Sequence, residues 1–463
     1  MSLDFRVRDF GYPLSIWRLR RQFERSQWWS LDELRAYQDR LLRNTIAHAY
    51  ATVPYYQDLF RQYHLKPTDF NGIGDLAKMP TLPKDTLRRE FQRLQAADAP
   101  RYRPHAYRTS GSSGEPVRFL LDKPANILEF VYYWRHWSWA GYTLGARFAE
   151  LATHHFMRSD ALSQRPWLYQ AGLGRLLLNN IAMSLDAAIE CVKAMRRHRP
   201  LFLKGLASAL SVFAHYVQQA GITDLQFQGI FSTGEVLITP QRRLIEETFH
   251  GKVFDSYGHM ERTVAISECA EGSLHVNPEY GVLELVDKRP IQSVDRCGGR
   301  QLFAARVLGT SLHTRSMPLL RYEIGDVVEV DDSPEPCACG RSMPRMHRIH
   351  GRCEDAITTP DGRVVTAAFL VFDEVDGIVL GQLLQEMPDR LAVRIVPGRE
   401  YTRDREIELI ALLRRFVGQS MRIDVEYVSI DALRASSPGK WRAVRSLVRT
   451  PLATAAAAEA VNA

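Results

Sequence analysis

The chain has 463 residues, 45% hydrophobic and 24% charged, the make-up of a water-soluble globular protein with material for several domains. Its net charge of +7 comes from 60 Lys and Arg set against 53 Asp and Glu, interleaved almost everywhere, which favours a solvated basic surface over nucleic-acid binding. There is no long apolar run to span a bilayer and no apolar centre near the start to serve as a secretory signal. Six cysteines are too few for a disulfide framework, so the expectation is a cytoplasmic protein with no membrane partner.

Residues 28–65 read as two helices, the first opened by a capping box in which Ser30 stands three residues before Glu33. Pro80 and Pro83 mark residues 76–84 as an extended connector, and 86–94 reads as helical again. From Ala106 the pattern alternates strand and helix. Strands are predicted at 117–121, 148–156, 201–205, 227–233 and 253–254, with helices at 127–140, 185–197, 207–220 and 240–249. Such alternation predicts an α/β fold, a mostly parallel sheet with helices on both faces. Beyond residue 272 the chain turns β-rich, at 281–286, 301–307 and 327–330. A last α+β piece has strands at 391–395 and 421–428 around a helix at 403–418. The Ala-rich tail, 450–463, has little to bury and is expected to be disordered.

One loop stands out. Arg-Thr-Ser-Gly-Ser-Ser-Gly-Glu-Pro-Val-Arg, residues 108–118, offers the hydroxyls of Thr109, Ser110, Ser112 and Ser113 and the freely turning Gly111 and Gly114. Backbone N–H groups and hydroxyls in such a loop can wrap a polyphosphate, although the stretch does not match G-x-x-x-x-G-K-[ST]. By itself it reads equally as a surface loop. Ligands of an open α/β sheet gather at the carboxyl ends of its strands. Polar segments fall at such positions: Ser232-Thr-Gly-Glu235, Asp255-Ser-Tyr-Gly-His-Met-Glu261 and Arg321-Tyr-Glu-Ile-Gly-Asp326. Gly351-Arg352 follows, and Lys440 lies in a late Ser-Ser-Pro-Gly-Lys-Trp-Arg. Taken singly, Glu261 reads as a helix-start acid, Asp326 as a turn cap, Tyr257 as core and Lys440 as a solvated charge.

In this order the segments resemble the adenylate-forming superfamily, specifically its phenylacetate–CoA ligase-like branch. The T/S-S-G-T/S-T-G-x-P loop stands as Thr109 to Pro116, Y-G-x-x-E as Tyr257 to Glu261 and R-Y-x-x-G-D as Arg321 to Asp326. G-R-x-x-D stands as Gly351 to Asp355, and the late Gly-Lys as Gly439-Lys440. Val117 stands where many relatives outside this branch carry Lys. The helical opening, notably Ala51 to Gln57, is also similar, so the resemblance covers about residues 30 to 448. It implies ATP-dependent activation of a carboxylic acid, aryl or arylacetic in this branch, to an acyl-adenylate with release of pyrophosphate. Transfer to coenzyme A follows. Capture by an amine, a hydroxyl or a carrier-protein thiol is the alternative, and a non-catalytic adenylate-binding protein is the non-enzymatic rival.

The chemistry suits these residue types, because two anions must meet and their charge must be neutralised. The resemblance implies that Thr109, Ser110, Gly111, Ser112, Ser113 and Gly114 hold the departing phosphates. Glu261 ligates Mg²⁺, a cation that prefers carboxylate and phosphate oxygens. Asp326 holds the ribose, and Arg352 pairs with ribose or phosphate. Tyr257, within Asp255, Ser256, Tyr257 and Gly258, lies against the adenine face, and Gly234 with Glu235 forms the other wall. Lys440 bridges the substrate carboxylate and the phosphate as a point charge. The implied organisation is a helical region, 1–100, packed on a large ATP- and carboxylate-binding domain, 101–350. A hinge, 351–355, leads to a small mobile α+β domain, 356–449. The hinge position, usually Asp, is Glu354 here, followed by Asp355.

A second constellation suits a metal. Cys269 and His275, with the Cys337-Ala-Cys339-Gly turn, supply four ligands of the kind that hold a tetrahedral structural Zn²⁺, although C-x-C departs from the usual C-x2-C spacing. Cys191, Cys297 and Cys353 read as isolated thiols. His154 and His155 end a predicted strand facing the presumed cleft and are candidates for the substrate pocket or for structural hydrogen bonding. The expected partners are a small-molecule carboxylic acid and an acyl acceptor, in a monomer or homodimer.

Overall fold

A computed structural model describes residues 13–108, 117–152, 155–156, 159–181, 183–290, 301–331, 336–352, 357–361, 364–365, 368–435 and 442–448. The phosphate loop 109–114, His154, Glu354, Lys440 and the tail fall outside these residues. The described residues divide into two compact units, one within 3–140 and 256–349, the other within 141–255 and 350–463. The boundaries differ from the sequence-based division, which followed motif order along the chain.

In the first unit the expected helix pair is Leu31–Thr52 and Pro54–Gln62, and the Ser30–Glu33 capping box is formed in both directions. The Ser30 N–H donates to the Glu33 carboxylate at 2.8 Å, and the Glu33 N–H to Ser30 Oγ at 3.3 Å. An amphipathic helix, Pro13–Ser26, precedes them. The connector carries a 3₁₀ segment, Ile73–Lys78, before its prolines. A hairpin of His105–Arg108 and Arg118–Leu121 pairs Arg108 with Arg118 and so brackets the phosphate-loop sequence. Asp122 anchors its base: one oxygen accepts the Ala125 N–H that opens helix Lys123–Ser138, and the other accepts the N–H groups of Arg315 and Ser316.

The β-rich part is a sheet in the order Gly281–Pro290, Leu302–Ser311, Tyr322–Asp331 and Arg348–Arg352, with the first three antiparallel. These strands run longer than their sequence patterns suggested because ladder pairing continues past the apolar residues. One continuous core joins them to the opening helices through buried Ile46, Tyr56, Phe60, Phe119, Ile266, Tyr322 and Ile324.

The second unit holds strands in the order Trp167–Gln170, Arg175–Asn179, Phe148–Ala152, Phe202–Gly205 and Gly229–Thr233; the edge pair is antiparallel and the others parallel. Helices Leu185–His198, Ala207–Gln219 and Thr239–Phe249 pack against one face, with Phe213, Ile245 and Phe249 buried among Leu151, Leu203 and Ile230. The other face carries a buried charge cluster: Glu150 lies 3.2 Å from Lys204 and is ion-paired with Arg175. Burial alone would raise the Glu150 carboxyl, but Lys204 and Arg175 outweigh it and hold it down at about 2.

Residues 357–446 form the expected α+β piece, built on a sheet in the order Arg422–Tyr427, Arg390–Pro397, Ile378–Met387 and Val444–Ser446, with helix Arg403–Val417. Strand Ile378–Met387 was missed because its first eight residues are buried on both faces, polar Gln382 and Gln385 included, and leave no alternation to read. Val379, Leu380, Val396, Ile430 and Leu433 join the core of helices Ala207–Gln219 and Thr239–Phe249. Among the described residues no helix is long and apolar enough to cross a membrane. Within the α+β piece Gly381 meets the Phe372 ring, and an added Cβ would lie 2.6 Å from a ring carbon. Gly381→Ala is expected to cost about 1–3 kcal/mol by overpacking, read as a lower denaturation midpoint with unchanged slope.

Candidate functional site

Two short motifs meet in the first unit, and two tyrosines tie them together. Tyr257 stands in the strand Val253–Gly258, where it pairs with Ile266, and Asp326 in strand Tyr322–Asp331. The Tyr257 hydroxyl donates to Asp326 Oδ2 at 2.5 Å. In the opposite sense the Tyr322 hydroxyl donates to Glu261 Oε1 at 2.9 Å. Each motif thus supplies a tyrosine to the other's carboxylate. Both carboxylates are buried, a costly position for charge unless hydrogen bonds compensate.

The backbone explains why the motif residues are where they are. Arg321 has φ 52° just before strand Tyr322–Asp331, and Gly325 has φ 85° within it, where the pairing with Leu302–Ser311 shifts register. Arg321 holds its unfavourable backbone through its own contacts. Its N–H donates to Thr310 Oγ1 at 2.8 Å, its Nε to Glu284 at 3.0 Å and its Nη1 to the Met79 carbonyl. Burial raises the Glu284 carboxyl above its ordinary value, with Arg321 opposing. Leu82 bonds to the backbone on both sides of Tyr322: its N–H donates to the Arg321 carbonyl and its carbonyl accepts from Glu323. The arginine of the motif therefore holds the backbone, while its tyrosine and aspartate hydrogen-bond to the other motif.

Other candidates are placed separately. Ser256 is buried, while Tyr257 is half-buried and Gly258 ends the strand. In the second unit Gly234 has φ 80°, and the Glu235 carboxylate accepts the Ser208 N–H at 2.9 Å, at the start of helix Ala207–Gln219. An anion there offsets the helix dipole, which the sequence-based reading of Glu235 did not foresee. Asp255 is half-buried and His155 buried. The strand before His155 ends at Ala152, earlier than expected. Gly351 and Arg352 end the strand Arg348–Arg352.

The Cys/His constellation comes together as expected. Cys269 opens the tight turn from Ala265–Glu268 to Leu274–Val276, the strand that carries His275. Arg345–Met346 pairs with that strand and brings in Cys337 and Cys339 from the turn before it, where Gly340 has φ 78°. The four ligand atoms lie within 4.8 Å of one another. Cys269 and Cys337 sulfurs are 3.8 Å apart, and Cys339 Sγ is 3.3 Å from His275 Nε2. A zinc–thiolate tetrahedron with bonds of about 2.3 Å has S–S edges of about 3.8 Å, so the four donors fit. His275 Nδ1 lies 3.3 Å from the Met343 carbonyl, which leaves Nε2 as the donor atom toward the cysteines. Burial lowers His275 to about 4, keeping the ring neutral, and raises Cys269 to about 11. At Cys337 burial is outweighed by hydrogen bonds from Ser273 and Cys339, and its thiol falls below the ordinary value.

Residues 357–446 match the model of the CapK C-terminal domain. Protein CapK of Staphylococcus aureus is 21% identical over 382 residues, 81% of each chain. A phenylacetate-coenzyme A ligase of Thermus thermophilus is 24% identical over 429 residues, 86% of each chain. The Escherichia coli protein of that name is 26% identical over 348 residues, 71% of this chain and 73% of its own. Among solved structures, 2-hydroxyisobutyryl-CoA ligase in the postadenylation state with 2-HIB-AMP has a TM-score of 0.65 at 17% identity, covering 95% of this chain and 96% of its own.

Over most of its length the chain is similar to phenylacetate-coenzyme A ligases, and it shares the fold of 2-hydroxyisobutyryl-CoA ligase. Within the family motifs, sequence reading picked out Tyr257, Glu261 and Asp326 but passed over Tyr322, His259 and Thr263. Tyr322 was in view inside R-Y-x-x-G-D; its role as donor to Glu261 appears only when the fold packs the Glu261 turn against the start of strand Tyr322–Asp331. Tyr322→Phe removes one buried donor to a carboxylate and should cost about 1.5–3 kcal/mol of stability by chemical denaturation.

Proposed function

We propose that the protein activates a carboxylic acid with ATP to an acyl-adenylate, releasing pyrophosphate, and passes the acyl group to the thiol of coenzyme A. The observation that carries this reading is the reciprocal tyrosine pairing that brings Glu261 and Asp326 into one buried, hydrogen-bonded setting. The relatives' names support it, and so does the fold shared with a ligase solved with acyl-AMP and, in another state, with coenzyme A as well.

In this reading Asp326, an acceptor, binds the ribose hydroxyls, and Tyr257 fixes its orientation while presenting a ring to the adenine. Glu261 is the ligand for Mg²⁺, which when bound neutralises the phosphate charge. Loop 109–114 wraps the leaving phosphates, Arg352 pairs with ribose or phosphate, and Lys440 bridges carboxylate and phosphate. Gly234, Glu235, Asp255, Ser256 and Gly258 complete the nucleotide wall, and His154 and His155 border the acid. Glu354 is the pivot of the small domain. The substrate class is aryl or arylacetic acid, and the compartment is the cytoplasm.

A second reading replaces coenzyme A by an amine, a hydroxyl or a carrier-protein thiol. It draws on the match of residues 357–446 to the CapK C-terminal domain, whose name specifies no acceptor.

Carboxylic-acid-dependent pyrophosphate release tests the first step, and thioester formed on adding coenzyme A separates the two acceptors. An arylacetic acid should be turned over in preference to a short aliphatic one. Lys440→Ala is expected to abolish adenylate formation while leaving ATP binding within a few-fold; full activity in that variant sinks the lysine's role.

We also propose that Cys269, His275, Cys337 and Cys339 hold a structural Zn²⁺, supported by the fit of their spacing to a tetrahedron. Such a site clips two turns to the strand between them and closes off all four positions, so it stabilises and does not react. Protein purified without added metal should contain about one zinc per chain by elemental analysis. Cys339→Ala should lose it and melt at a lower temperature.

A further inference from the structure

The turn that carries Glu261 contains a hydrogen-bonded chain which the nucleotide motifs do not account for. His259 is buried, with Nδ1 3.0 Å from Glu261 Oε2 and Nε2 2.9 Å from Thr263 Oγ1. An ionised carboxylate can only accept, so the proton between His259 and Glu261 sits on Nδ1. In the tautomer with its proton on Nδ1, Nε2 is the acceptor for the Thr263 hydroxyl. Together with the Tyr322 bond to Oε1, both oxygens of Glu261 thereby meet a side-chain donor.

Thr263 is itself fixed by close packing. It is fully buried, and two glycines make room for it. A Cβ on Gly309 would fall 1.8 Å from Thr263 Oγ1, and one on Gly281 would fall 1.8 Å from the Thr263 carbonyl oxygen. Only residues without a side chain let the two strands close on this threonine. Arg262, between Glu261 and Thr263, has φ 56° and is tied to helix Lys123–Ser138 by a 2.6 Å bond to Asn126. The turn is thus clamped from both sides.

Threonine, histidine and glutamate in hydrogen-bonded order also describe a nucleophile with its base and orienting acid. Burial excludes that use here: the hydroxyl is pressed against Gly309, and no substrate carbon can reach it. The chain of bonds runs the other way, from a fixed threonine through the ring to the carboxylate.

We infer that His259, with Thr263 behind it, is a positioning residue that sets the orientation of Glu261 toward the divalent cation of the nucleotide. This rests on the proposed role of Glu261 as a Mg²⁺ ligand. The fit is chemical: hydrogen bonds from side chains fixed elsewhere in the fold set the plane of the carboxylate, the way ligating carboxylates are held. Neither His259 nor Thr263 touches the cation or the reacting atoms in this scheme. They act only through Glu261.

The test uses variants that divide the two bonds of the ring. Asparagine places its amide N–H where Nδ1 stands, and glutamine places it nearer Nε2. Mn²⁺ binding in the presence of ATP, followed by electron paramagnetic resonance, reports cation affinity without turnover. The Mg²⁺ concentration giving half-maximal pyrophosphate release reports it during turnover. His259→Ala and His259→Gln are expected to weaken both by about 10–100-fold, the usual range for loss of a partner behind a metal ligand, with KM for the acid unchanged. His259→Asn should restore affinity to within a few-fold. Thr263→Val should move in the direction of His259→Ala and Thr263→Ser should not, each checked for a melting temperature near the parent's. Unchanged Mn²⁺ affinity and Mg²⁺ dependence in His259→Ala overturns the inference, as does equal behaviour of the Asn and Gln variants. Should His259→Ala not fold, the contrast between Thr263→Val and Thr263→Ser decides by the same criterion. A parent protein that neither binds Mn²⁺ with ATP nor releases pyrophosphate sinks the proposed function itself, and the positioning role falls with it.

Discussion

Holding two carboxylates in a buried place is the constraint around which the first unit is built. Glu261 and Asp326 lie where water cannot solvate them freely, and an ionised group in such a place is tolerated only with donors aimed at it. The donors come from the motif partners: Tyr322 for Glu261 and Tyr257 for Asp326. Each hydroxyl belongs to the motif that carries the other acid. The two motifs therefore cannot shift independently, since moving either strand strips a donor from both.

That arrangement accounts for features which look unrelated along the chain. The left-handed backbone at Arg321 and Gly325 is a local cost, met by the bonds of Arg321 to Thr310, Glu284 and Met79. Gly281 and Gly309 give up side chains so that Thr263 can lie against them. Leu82, far upstream, lends its backbone to Tyr322. The Cys/His cluster fastens other turns of the same unit, using strand pairing to bring Cys337 and Cys339 to a hairpin that already holds Cys269 and His275.

The second unit handles charge differently. Its buried carboxylate, Glu150, is balanced by two cations rather than by hydroxyls, and its carboxyl is held near 2 as a result. Glu235, read from the sequence as a wall of the adenine site, also serves a helix start. The sharing of core residues between 379–433 and the helices of 207–249 shows a cooperative apolar unit that no local pattern announced, because it joins segments more than a hundred residues apart.

Local chemistry was legible in the amino-acid order wherever it depends on neighbours a few residues apart. The Ser30–Glu33 box, the alternation of strands and helices from 106 onward, the β-rich stretch and the members of each motif all belong to this class. So does the set of four zinc-type ligands, because thiols and imidazole declare their chemistry without a fold. Strand Ile378–Met387 and the pair at 167–179 escaped, since short apolar runs carry no period that separates strand from buried helix. Tertiary structure alone decided which oxygen meets which donor. Tyr322 reaches Glu261 across 61 positions, and Cys337 reaches Cys269 across 68. Such pairings depend on strand register and close packing, quantities set by the whole core and written in no single segment.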